Sequence, residues 1–216
     1  MGGLLDDPAR FLADLILKIP ALLFAVTVHE VAHGLVADRL GDPTARLQGR
    51  LTLNPLPHID PLGALAFVLA GFGWARPVPV NAANLRHPVR DMVWVAAAGP
   101  AANFLAAFVG LVALVLVRGS GLPAVLVEPL GGMCLWAFQF NLALGIFNLI
   151  PLPPLDGGHF LPFMLPGGAA RALRALEQHG PLLLLLLVVS GAARYVVGPV
   201  FEVLLQAYVG VVRLIL

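Results

Sequence analysis

Long apolar stretches separated by short polar ones make up most of this chain. Residues 20–40, "PALLFAVTVHEVAHGLVADRL", form the first of them, with a proline at the start and Gly41 as the stop. Residues 92–117 and 124–150 form two more, reversed by "RGSGLP". Each reaches the roughly 20 helical residues that a hydrocarbon core demands. Residues 62–73, "LGALAFVLAGFG", are apolar but short, which predicts a re-entrant or interfacial element. Near the end, "PLLLLLLVVS" and "VGPVFEVLLQAYVGVVRLIL" predict two further spans, with Gly198 and Pro199 near their junction.

Polar segments supply the rest of the plan. Residues 4–17, "LLDDPARFLADLIL", predict a short amphipathic helix at the interface, capped by Asp6 or Asp7. After the first span, Arg46, Gln48, Arg50 and Thr52 alternate with Leu47, Leu51 and Leu53, which predicts a short strand or hairpin. The expected fold is therefore an all-α polytopic membrane protein with about five to six transmembrane helices, a short membrane-associated β hairpin and a re-entrant segment. It forms one membrane-embedded domain over 1–216: an interfacial helix to 18, a core over 20–159 and C-terminal helices over 160–216.

Composition agrees with this plan. Of 216 residues 59% are hydrophobic and 12% charged, and the mean hydropathy is +0.91. A net charge of +1 without a long basic block argues against a nucleic-acid partner. One cysteine, Cys134, excludes a disulfide framework and a cysteine-rich metal site. Asp6 and Asp7 ahead of Arg10 are the wrong charge for a secretory leader, so the whole chain is expected in the mature protein.

Basic residues set the orientation. Arg39, Arg46, Arg50, Arg76, Arg86 and Arg90, out of 13 basic residues, lie between the first span and the next, so that connection is expected in the cytoplasm. Arg118 falls on the far side as an exception, and Arg171 and Arg174 return to the cytoplasmic face.

Three ionisable groups sit inside the first span. His29 and His33, four residues apart, project from one helical face about a turn apart, and Glu30 flanks the point between them. This is H-E-x-x-H, in which two histidines hold zinc and the glutamate takes a proton from water. Core histidines bonded to neighbouring helices would leave Glu30 unexplained, since an ionisable group in a span costs at least ~2.5 kcal/mol. A catalytic zinc needs a third protein ligand, and the carboxylates in or beside spans are Asp91, Glu128, Asp156 and Glu202. Asp156 stands out in "FNLIPLPPLDGGHF": prolines 151, 153 and 154 cannot continue a helix, and Gly157 and Gly158 allow close backbone approach.

"HEVAH" on the first span, with "NLIPLPPLDGG" on a later one, resembles the site-2 protease family of intramembrane zinc metalloproteases. "AAGPAANF" at 97–104 resembles the family's middle core span, and "GRLTLNPLPHIDPLGA" with "GWARPVPVN" a compact prokaryotic branch without PDZ or CBS domains. The resemblance implies one zinc on His29, His33 and Asp156, Glu30 as general base, and Asn148 polarising or positioning the scissile peptide. By its residues alone Asn148 has a second reading, a helix-end amide bonded to freed carbonyls. His58, His159 and Asn103 stay open: a site-supporting or loop histidine, a helix-start histidine, and a supporting or merely interhelical asparagine.

The implied activity is hydrolysis of peptide bonds in transmembrane protein substrates, as in regulated intramembrane proteolysis, at the cell membrane and with water arriving from the cytoplasm. The alternative is a metal-ion transporter using the same His and Asp groups, which predicts ligands without a base. Ser120 and Ser190 lack a G-x-S-x-G setting and Asp156 lacks an aspartate partner, which argues against serine and aspartyl intramembrane chemistry.

Overall fold

The computed structural model describes residues 8–70 and 73–215. Among them are nine α-helices and no sheet, so the all-α polytopic expectation holds. Four helices carry stretches long and apolar enough to cross a membrane: Asp14–Arg39, Pro88–Gly119, Ala124–Asn148 and Ala193–Ile215. The sequence pattern predicts five to six. The difference lies in "PLLLLLLVVS", which forms a ten-residue helix, Gly180–Val189, rising about 15 Å. That is half of a hydrocarbon core of ~30 Å.

Helix α1, Pro8–Arg39, runs unbroken through Pro20, where an interfacial helix and a separate span were expected. A proline removes one N–H, and membrane helices tolerate that loss because neighbouring groups re-satisfy the freed carbonyl. The expected caps Asp6 and Asp7 lie outside the described residues. At its other end α1 stops where Gly41 takes φ +116°, a conformation that favours glycine.

The segment read as a hairpin is instead a four-residue helix, α2 (Thr44–Leu47), followed by a turn and irregular chain. Two β residues pair in isolation, Ile59 with Ala75. Alternation does not make a ladder here because Arg50, one of the alternating positions, turns inward and bonds backbone carbonyls of the 76–77 segment. The segment expected to be re-entrant or interfacial forms α3, Pro61–Ala70, whose Leu62, Leu65, Val68 and Leu69 are exposed.

Asp42 fastens this connection to α1. It is fully buried and accepts from Thr44 N (3.1 Å), the Thr44 hydroxyl, Asn81 N (2.6 Å) and Asn84 Nδ2 (2.9 Å). Burial pushes its carboxyl pKa up, but these donors outweigh burial and hold it below the ordinary carboxylate range. The stability it contributes is therefore complete above the unfolded-state pKa of about 3.9 and is lost as pH falls through the lower folded value. Melting in detergent should show a falling Tm below pH ~4, and Asp42→Asn should lose stability near neutrality, by about 1–3 kcal/mol, while flattening that acid limb.

The remaining helices are α4 (Pro88–Gly119), α5 (Ala124–Asn148), α6 (Asp156–Met164), α7 (Gly167–Ala175), α8 (Gly180–Val189) and α9 (Ala193–Ile215). Helices α1, α4 and α5 pack on one another, and α9 lies against α4 and α5. The core between the last three is Ala107, Leu111, Leu114, Phe138, Leu142, Ile146 and Val212. Phe138 meets Phe201 and Tyr208, and the Tyr208 hydroxyl donates to Phe104 O at 3.0 Å, satisfying its one polar atom.

Candidate metal centre

Helix α1 places His29 and His33 one turn apart, and α4 crosses them with residues spaced by four. Val95 O lies 2.7 Å from His33 Nδ1, and Asn103 Oδ1 lies 2.7 Å from His29 Nδ1. Between these contacts stands Gly99, where a Cβ would sit 2.6 Å from Cε1 of both rings. Only hydrogen leaves room for α4 to lie flat on the pair. The "GPAANF" stretch therefore follows from geometry, with glycine at the rings and asparagine a turn further on.

These contacts determine the tautomers. A carbonyl such as Val95 O only accepts, so His33 Nδ1 carries the proton. Asn103 is oriented by its own amide, whose Nδ2 donates to Ala25 O (3.0 Å) and Asn141 Oδ1 (2.8 Å), so its oxygen accepts from His29 Nδ1–H. In the neutral rings both Nε2 atoms then present lone pairs, and they face each other at 3.0 Å.

Asp156 completes the group. Helix α5 ends at Asn148 because Pro151 disfavours helix before it and cannot extend one itself. Asp156 then opens α6, with its Oδ2 3.1 Å from His29 Nε2 and Oδ1 3.3 Å from His33 Nε2. The tight return depends on Gly157, where a Cβ would sit 2.5 Å from the carbonyl oxygens of Leu149 and Ile150. Oδ2 is buried with no hydrogen-bond donor.

Two imidazole lone pairs and a carboxylate thus converge, all three ligand atoms within 4.8 Å of one another, with no proton between them once the tautomers are assigned. Such a cluster of acceptors repels itself unless a cation sits among them. Two nitrogens and one oxygen, with the far nitrogen of each histidine held by a backbone or amide oxygen, suit zinc and leave a fourth position open.

Glu30 sits beside the cluster, partly buried, and its Oε2 accepts from Val78 N at 2.8 Å. Asn148 is not brought into the cluster; its Nδ2 donates to Leu144 O of its own helix at 3.0 Å. His58 is buried and its Nε2 bonds Thr52 O at 3.0 Å, as a loop histidine does, while Nδ1 has no partner. His159 is exposed in the first turn of α6. Glu128 and Glu202 are exposed, and Asp91 accepts from His87 N at 2.9 Å, so none of these carboxylates joins the group. Asn103 both supports His29 and bonds between helices.

Asn141 escapes sequence reading. Fully buried, it accepts from Asn103 and donates to Ala137 O at 2.8 Å, so it locks the amide that orients His29. Its signal was an isolated asparagine in an apolar span, seven residues before Asn148.

A profile of peptidase family M50 matches residues 124–188, which include α5 and Asp156. The chain is 41% identical over 184 residues to a Bacillus subtilis protein named "Putative zinc metalloprotease YwhC", covering 84% of each chain. It is 33% identical over 193 residues to "Putative zinc metalloprotease Rip2" of Mycolicibacterium smegmatis, covering 86% of this chain and 71% of that one. No solved structure matches it.

Proposed function

The chain belongs to peptidase family M50, the site-2 protease family, and is a multi-pass membrane zinc metalloprotease; from this premise we propose that it cleaves transmembrane protein substrates within the bilayer, as in regulated intramembrane proteolysis. One zinc per chain is held by His29, His33 and Asp156. The observation that carries this reading is the convergence of three proton-free ligand atoms, two of them on a helix of membrane-spanning length. When bound, zinc supplies the charge that makes a water acidic enough to attack near neutral pH and polarises the scissile carbonyl.

The chain's own residues do the rest. Glu30 accepts the proton of the attacking water and returns it to the leaving amine, with one oxygen anchored to Val78 N–H and the other free for the proton. Asn148 exchanges its bond to Leu144 O for one to the substrate peptide, positioning the carbonyl as its oxygen gains charge. A helical substrate has its backbone groups tied up internally and must be locally extended before attack. The chain at 79–80, beyond the groups already bonded at 76–78, and the loop at 151–155 offer it backbone partners by strand addition.

Access is from the cytoplasm of a cell-membrane protein. His33 lies six residues from Arg39, about 9 Å along α1 from its basic end, and the connection carrying Arg46, Arg76, Arg86 and Arg90 packs at that end.

The test is cleavage of a single-span model substrate by purified protein in detergent, with metal content measured on the same samples. Removing zinc with a chelator should abolish cleavage, and adding zinc back should restore it in step with occupancy up to one per chain. Protein that binds zinc and passes it across vesicle walls without cutting any peptide would replace this reading with metal transport.

A further inference from the structure

Every backbone polar group from Arg76 N to Val78 N has a partner. Arg76 N donates to His58 O at 2.9 Å, and Arg76 O and Pro77 O accept from Arg50 Nη2 at 2.8 and 3.2 Å. Pro77 has no N–H, and Val78 N donates to Glu30 Oε2 at 2.8 Å.

Two of these bonds lie on one rigid body. The carbonyl of Pro77 and the N–H of Val78 belong to the same planar peptide unit, and in a trans peptide they point in opposite directions. The one cis bond among the described residues is Pro153–Pro154, so this unit is trans. Arg50 therefore holds one end of a strut whose other end holds Glu30. A guanidinium on the carbonyl also polarises the unit and strengthens its N–H as a donor.

Arg50 is otherwise hard to explain. It is 8% exposed, its Nε has no partner, and no carboxylate among the described residues lies within ion-pair distance. A buried cation without a contacting counter-ion is costly, and the carboxylate whose charge reaches it is that of Glu30. Its Nη2 bonds go to this strap alone.

We propose that Arg50 is a positioning residue for Glu30, acting through the Pro77–Val78 peptide unit to aim the carboxylate at the attacking water. It touches neither metal nor substrate. The inference rests on Glu30 being the general base, and it adds that the base is aimed from a cytoplasmic loop 20 residues further along the chain.

The experiment is a double-mutant cycle between position 50 and position 30, in detergent, reading kcat, KM, zinc content and Tm. Arg50→Met should keep zinc at the parent level and KM within about twofold, while kcat falls about 10- to 100-fold, the range expected for a misaimed group. Arg50→Lys, which still reaches a carbonyl, should recover part of kcat. In a Glu30→Gln background, followed under single turnover, Arg50→Met should cost no further rate, because the aimed group has already gone. Arg50→Met with parental kcat, or the same fractional loss in both backgrounds, overturns the positioning role. If Arg50→Met does not fold, Arg50→Lys carries the cycle alone, and additive losses with Glu30→Gln overturn the role equally. Should Glu30→Gln itself cleave like the parent, the general-base reading has failed, a result distinguishable from failure of Arg50 alone.

Discussion

Glu30→Gln should retain its zinc and cleave at least ~100-fold more slowly than the parent. The amide oxygen of glutamine accepts from Val78 N–H as the carboxylate oxygen does, so the side chain stays anchored. The group left facing the cluster is then an NH2, a donor where an acceptor is needed, and it takes no proton. The metal ligands are untouched, so activity and metal content should part company. Measuring both on the same preparation checks this, and a variant that cleaves at the parental rate would remove Glu30 from the chemistry.

Asp156→Ala should behave in the opposite way, losing metal first and activity as a consequence. Removing the support behind a zinc ligand costs 10- to 100-fold in affinity, and removing a ligand should exceed that. The loss also takes away the only negative charge among the three ligand groups. Zinc competition with a chromophoric chelator should show a drop of at least ~100-fold in affinity, with helicity by circular dichroism retained. Full zinc occupancy in this variant would show that the third ligand lies elsewhere, although Glu128 and Glu202 are exposed and far less suited.

Particular residues show how much could be read beforehand. His29, Glu30 and His33 were legible because a span of helix converts sequence spacing directly into position, and because charge inside a span demands a reason. Asp156 was legible from its surroundings, three prolines and two glycines that no ordinary span would carry. Pro20 was misleading, since a proline that often starts a helix is also tolerated within one in the membrane. The expected hairpin failed for a different reason. Alternation tells which residues face which way along extended chain, but whether a ladder forms depends on a partner strand, and here Arg50 spends its bonds on the 76–77 carbonyls.

The sequence by itself determined the membrane class, the pair of histidines with their glutamate and the broken helix that brings an aspartate back. Local rules suffice for these, because apolar length, charge placement and helical spacing act within a few residues. Tertiary structure alone decided what holds the group in working order. Val95 O and Asn103 select the tautomers of His33 and His29, Asn141 fixes Asn103, Gly99 makes room, and Val78 with Arg50 steadies Glu30. Those partners come from segments 20 to more than 100 residues away, and a hydrogen bond depends on positions in space, which spacing along a chain does not encode.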